Sequence, residues 1–312
     1  MQAVRRAAGT RRRPPPWPVE PMPPVVAGQS WHPAGRHLAL RSFAGQRLHV
    51  VSLGAGPHVV LLHGYIQSSW AWRHNLDALA RHFTVHAVCL PGFGWSDKPA
   101  RPSYRLLHQA ERVLELLALL GAETVHLVGN SLGAALALEV AVLAPHRVGR
   151  LVLVNPAGAG TYPIASVARL QHEAWEPLFR LPGVPQVLAL GLRHGAYARL
   201  DVDAAFLRAF LGPLYSAGGL HAALKVARSF HADLAALDRR LPDIPQPAYV
   251  AWGQGDRIVP RTVIERVARR LPDARLEPFD CSGHCPMEEE PERFNREAVA
   301  FLRATGPARV RS

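Results

Sequence analysis

Ser131 lies between two glycines in "VHLVGNSLGAALALEVA" (125–141), after an apolar run and before a helical one. A lone G-x-S-x-G match is weak, since chance supplies it in a chain of this length and glycine content. The context makes it informative. A strand feeding "GNSLG" and then a helix predicts a sharp turn, where Gly129 and Gly133 remove side chains that would crowd a strained serine. The hydroxyl then stands at the carboxyl end of the strand. The backbone N–H of Leu132 points into the same space at a helix N-terminus, which favours negative charge. These residues suit nucleophilic attack on a carbonyl, and a serine hydroxyl needs a base for that.

Of 16 histidines, His284 has the most informative position. It lies in "DCSGHCPMEEEPERF", after the last predicted strand and before the last helix, in a carboxyl-end loop where α/β sheets collect their sites. Asp256, in "AYVAWGQGDRIVP", follows the preceding strand and gives the chain order Ser, Asp, His. Two other carboxylates compete for the imidazole. Asp280 is read as part of the strand end, and Glu288 as the head of a solvated acidic run. "LLHGYIQSSW" places Tyr65, with Ile66 as the alternative, where a second oxyanion donor would act through its backbone N–H. His63 is expected to hold that loop by hydrogen bonds rather than to serve as the base. Cys281, His284 and Cys285 could also ligate a metal, but no fourth ligand recurs at a familiar spacing, so neither metal nor cofactor is expected.

The elements that must position these groups alternate from residue 38 onward. "LALRSFAGQRLHVVSL" reads as a hairpin turning at Ala44–Gly45, and "HVVLLHG" as a buried parallel strand. "SSWAWRHNLDALARHF" has a helical period, "TVHAVCL" is a strand, and residues 103–121 are helical. Strands "TVHLVG", "RLVLVN", "AYVAWG" and "RLEPFD" alternate with helices to near the end of the chain. This predicts an α/β fold with a mostly parallel, doubly wound sheet. Residues 157–243 break the rhythm with helical spacing, many aromatics and no convincing strand, and read as a helical cap inserted into a core of 31–156 and 244–306.

A hydrophobic content of 48% against 19% charged residues describes a globular chain. No apolar run approaches the ~20 residues of a spanning helix, and no secretory signal is evident, so a cytoplasmic protein is expected. Arg5, Arg6, Arg11, Arg12 and Arg13 contribute five of the net +12 charges and precede the first acid, Glu20. Residues 1–30, basic and then proline-rich, read as a disordered extension within which Met22 is an alternative start. A contact of this Arg cluster with anionic membrane is the sharper alternative. Nucleic acid is not an expected partner, because no aromatic-and-basic module is present. Three cysteines do not suggest a disulfide framework.

Five motifs occur in order: "HGY" (63–65), "LPGFGWSDKP" (90–99), "GNSLG" (129–133), "GQGDRIVP" (253–260) and "GHCPMEEEPERF" (283–294). On these the chain resembles α/β-hydrolase fold proteins with a helical cap, over roughly residues 38–304. The resemblance implies that Ser131, Asp256 and His284 are nucleophile, acid and base. It also implies that Tyr65 and Leu132 supply oxyanion N–H groups, and that 157–243 is a lid over a small-molecule acyl site. Three departures stand out. Cys89 replaces a common aspartate, Ala134 a frequent glycine, and Cys285 a bulkier aromatic; Cys285 and Trp95 are candidate pocket residues. A serine nucleophile argues against dehalogenases and epoxide hydrolases of this fold, which use aspartate. Ester hydrolysis through an acyl-enzyme is the leading expectation. Haloperoxidase-like perhydrolysis and carbon–carbon bond hydrolysis could use the same triad, although "HGYIQSSW" lacks the glycine-rich loop common in the latter. A non-catalytic ligand-binding protein on the same scaffold is the rival of another class. A histidine base predicts that kcat/KM falls as pH drops below about 6; a rate–pH profile checks this.

Overall fold

Three parallel strands with continuous apolar runs form the middle of the sheet: β3 (His58–Leu62), β5 (Val125–Asn130) and β6 (Val148–Val154). Such strands need cover on both faces, and all but the ends of these are buried. The computed structural model describes residues 31–41, 45–160 and 175–308. The basic extension with its Arg cluster and Met22, the turn residue Ala44, and residues 161–174 of the expected cap lie outside the described residues.

The sheet has eight strands in the order β1-β2-β4-β3-β5-β6-β7-β8. β1 (Gly35–Ala39) and β2 (Arg47–Leu53) form the expected antiparallel hairpin, and β2 pairs antiparallel with β4 (Thr84–Val88). All other pairings, through to β7 (Ala248–Gly253) and β8 (Ala274–Phe279), are parallel. The carboxyl ends of β3, β5, β6, β7 and β8 therefore share one edge. This is the α/β-hydrolase architecture.

The helical period of residues 68–83 is realised differently from expectation. It forms a 3-10 turn over Ser69–Trp72, where Ser68 accepts from the Trp70 N–H, and a short helix α1 (Leu76–Ala80). Between them the Asn75 carboxamide donates to Met287 O at 3.0 Å and to Asn295 Oδ1 at 2.8 Å, fastening this segment to the chain beyond β8. α2 (Leu106–Leu119) is amphipathic, whereas α3 (Leu132–Leu143) is apolar except for Glu139, which pairs with Arg240 at 3.0 Å, and buries ten of its twelve residues. A helix of that composition must be enclosed. It lies against β5 and β6 on one side and against α2 and the insertion on the other.

β6 and β7 are neighbours in the sheet although 93 residues separate Val154 from Ala248. Four helices occupy the described part of this excursion: α4 (Glu176–Phe179), α5 (Val184–Gly195), α6 (Ala204–Tyr215) and α7 (Gly219–Arg240). Tyr197, Phe206 and Phe210 are buried, with Phe206 edge-on to Tyr197 and stacked on Phe210. Trp175 is exposed. α8 (Arg261–Arg270), α9 (Pro286–Glu289) and α10 (Pro291–Arg303) complete the core. No helix among the described residues is long and apolar enough to cross a membrane.

Four histidines sit inside this scaffold in neutral form. Desolvation lowers His49, His63, His86 and His126 from 6.5 to about 4. His86 is held between Ser52 Oγ and His58 Nδ1, each at 2.9 Å. Above pH 6.5 these side chains are neutral whether the chain is folded or not, so they contribute no pH dependence there. As pH falls from 6.5 towards 4 the unfolded chain binds protons that the folded one refuses, and stability is lost. Below about 4 both states are protonated and this loss levels off. Urea titrations at pH 7.5, 6 and 5 are expected to show midpoints falling steeply over the acid interval, with up to about four protons taken up per unfolding event.

Candidate active site

Ser131 joins β5 to α3 with φ +53° and ψ −111°, a region that L-residues other than glycine rarely adopt. A serine in the N-cap position ordinarily uses its oxygen to accept a helix N–H, but Ser131 makes no such bond. The strained backbone instead turns the side chain away from the helix, which costs about 1–3 kcal/mol that the surroundings must offset. The flanking glycines allow this. A Cβ on Gly129 would collide with the Gly133 carbonyl, and one on Gly133 would collide with Leu62 O of β3. The motif is thus a packing requirement between β3, β5 and α3. Leu132, as first residue of α3, keeps an N–H with no intrahelical acceptor at the positive end of a twelve-residue helix.

His284 Nδ1 lies 2.8 Å from Asp256 Oδ2, and the Asp256 side chain is fully buried. The other oxygen of Asp256 accepts from the N–H groups of Ile258 at 2.7 Å and Val259 at 3.1 Å, which fixes the carboxylate plane. Asp280 is exposed and engages Gln254, so it is not the partner of the imidazole. With Nδ1 committed to Asp256, Nε2 is the nitrogen left to exchange a proton. Ser131 and His284 are each more than nine-tenths buried. Their loops are drawn together because the carbonyl of His284 accepts from Asn130, the residue before the serine, at 3.1 Å.

The loop after β3 is braced as expected of His63. That ring is fully buried; its Nδ1 donates to Gly64 O at 2.7 Å and its Nε2 accepts from Leu90 N at 2.9 Å. Being neutral, it can do both. Gln67 closes the turn by accepting the Gly64 N–H at 2.7 Å, and Ile66 absorbs the bend with φ +56°. The N–H of Tyr65 has no acceptor among the described residues. Its phenol donates to Ala223 O of α7 at 2.9 Å, tying the loop to the insertion.

Two side chains depart from the sequence reading. Glu288 is not solvated; it is buried, bonded to Arg73 at 2.8 Å and to the Tyr197 hydroxyl at 3.3 Å. Burial pushes its carboxyl up and the Arg73 guanidinium pulls it back. The rest of the acidic run is also engaged. Glu289 accepts from the N–H groups of Ala198, Arg199 and Gly283, and Glu290 from Ser282 Oγ and Cys281 N. The bonds from Ala198 and Arg199 to Glu289 join segments about 90 residues apart, which a sequence cannot show. Cys285 does not open a pocket. It is fully buried, it accepts from Gln67 Nε2 at 3.5 Å, and burial pushes its thiol well up. The Trp95 ring packs on His49 and its carbonyl accepts from His37, bracing the 90–99 loop on β1 and β2. Where the family commonly has aspartate, Cys89 Sγ sits 3.4 Å from Ser69 N and 3.2 Å from Ser69 Oγ, so a thiol holds this junction.

Arg73 lies 3.7 Å over the Trp70 ring and is largely buried, with Glu288 as its paired carboxylate. Glu288→Ala should cost about 3 kcal/mol in a denaturant titration, and Glu288→Gln, which keeps an acceptor, clearly less.

With the geometry in place, comparison with known proteins is informative. Residues 57–291 match the model of the alpha/beta hydrolase fold. A Pseudomonas putida 2-hydroxy-6-oxononadienedioate/2-hydroxy-6-oxononatrienedioate hydrolase is 31% identical over 82% of this chain and 91% of its own. Among solved structures, a meta-cleavage product hydrolase from Pseudomonas fluorescens superposes with a TM-score of 0.74 at 25% identity, covering 86% of this chain and 97% of that one. A bacterial membrane phospholipase A superposes with a TM-score of 0.71 at 26% identity, covering 86% and 85%. The strand order, the strained serine turn and the extent of the sequence match agree: this chain belongs to the alpha/beta hydrolase fold family.

Proposed function

We propose that the chain is a serine hydrolase acting on an ester or related acyl substrate, with Ser131, His284 and Asp256 as its triad. The observation that carries this reading is a serine held in a strained turn that serves no cap, together with an imidazole oriented by a buried carboxylate on a loop bonded to the residue before that serine. Ser131 Oγ attacks the substrate carbonyl as His284 Nε2 takes its proton. Asp256 holds the ring in the correct tautomer and offsets the imidazolium charge. The N–H groups of Leu132 and Tyr65 receive the oxyanion, supported by the dipole of α3. The tetrahedral intermediate collapses, His284 hands its proton to the leaving alcohol, and Ser131 is left acylated. A water deprotonated by His284 then attacks the acyl carbon, releasing the acid and restoring the hydroxyl. The insertion, with its buried aromatic cluster, acts as the cap that shapes the acyl site.

A second reading is hydrolysis of a carbon–carbon bond by the same triad, favoured by the names of the relatives in Pseudomonas. The loop "HGYIQSSW", which lacks the glycine-rich form, supports the ester reading instead.

A fluorophosphonate probe is expected to label wild-type protein at Ser131, and Ser131→Ala to lose both labelling and p-nitrophenyl butyrate turnover by at least about 10³-fold, with an unchanged melting temperature. Turnover retained in that variant would sink the assignment. Faster turnover of a vinylogous diketone than of any ester in a chain-length series would favour the second reading.

A further inference from the structure

The loop that carries His284 has little regular structure of its own, yet all four backbone polar groups of Gly283 and His284 are satisfied. The Gly283 N–H donates to Glu289 at 2.7 Å, and the His284 N–H donates to Ala196 O of the insertion at 2.6 Å. The two carbonyls are taken by two asparagines from other strands. Asn155 Nδ2 donates to Gly283 O at 3.0 Å, and Asn130 Nδ2 donates to His284 O at 3.1 Å.

Both asparagines are fully buried; Asn130 ends β5 and Asn155 directly follows the neighbouring β6. Asn130 precedes the serine and also donates to Val154 O at 3.3 Å. Asn155 follows β6 with φ +41°, a conformation asparagine tolerates better than most residues. Its Oδ1 accepts the Gly253 N–H at 3.1 Å, so a single carboxamide bridges the strand leading to Asp256 and the loop carrying His284. Gly253 permits this approach, because a Cβ there would collide with Gly283 O.

We propose that Asn130 and Asn155 are positioning residues for His284: Asn130 sets the base against the serine turn, and Asn155 sets it against the acid's strand. This rests on the proposed hydrolase reading for its kinetic consequence only; the effect on the imidazole itself does not. Asparagine is required because each site needs a donor aimed at a carbonyl. Aspartate keeps the shape and the backbone tolerance but turns that donor into an acceptor facing an acceptor.

The test compares Asn130→Asp and Asn155→Asp with wild type at pH 8, with Asn130→Ala and Asn155→Gly as second variants should an aspartate prevent folding. Ile264→Ala, a buried change on α8, controls for general loss of stability. The asparagine variants are expected to lower kcat for p-nitrophenyl butyrate about 10- to 100-fold beyond the control, with KM changed less than about twofold. The proton resonance of His284 Nδ1 bound to Asp256 should broaden or shift in the variants and stay in place in the control. A kcat within about threefold of the control, with that resonance unmoved, would overturn the proposal. If wild type fails to label at Ser131, the hydrolase reading fails while the resonance still decides the positioning claim. In wild type, both carboxamide groups should exchange protons far more slowly than the exposed Gln186; exchange at the same rate would overturn it too.

Discussion

A backbone at φ +53° and ψ −111° cannot hold itself, and the arrangement around Ser131 follows from that strain. The turn is kept by close approach: Gly133 lies against β3, Gly129 lies against Gly133, and the Ser131 N–H donates to Val154 O at 2.9 Å. Three adjacent parallel strands therefore clamp one residue. The strain has a chemical consequence, because it frees the hydroxyl from the capping bond that a relaxed serine at a helix N-terminus would form. The unmatched N–H of Leu132 is left facing the same space.

Parallel topology supplies the rest. The loops after β3, β5, β6, β7 and β8 all emerge at one edge, so groups far apart in the chain become neighbours without long excursions. Each loop is then secured by buried polar side chains rather than by regular structure. His63 and Gln67 hold the first, Asn130 and Asn155 join the middle ones, and the half-buried Glu289 and Glu290 accept from N–H groups of the last. Backbone groups buried away from water must be paired, and these side chains do the pairing.

The insertion is wired into the same network from two sides. Tyr65 reaches Ala223 of α7 across one flank, while Ala196, Ala198 and Arg199 bond the His284 loop across the other. The insertion is therefore bonded both to the loop after β3 and to the loop carrying His284.

Much of the fold could be read from periodicity. Short apolar runs and amphipathic helices have lengths that only an alternating parallel sheet accommodates, and the motifs mark where its strands end. The pairing of His284 with Asp256 also followed from chain order, because each sits just past a neighbouring strand. Other roles were decided by tertiary contact alone. Nothing local distinguishes a solvated glutamate run from a buried and bonded one; the burial of Glu288 depends on Arg73 and Tyr197, which lie far from it in the chain. The full burial of Cys285 is likewise a tertiary outcome, since a side chain's direction depends on what packs against it. Local pattern encodes which elements form and in what order. Burial and hydrogen-bond partners belong to pairs of residues far apart in the chain, and these exist only once the strands have assembled.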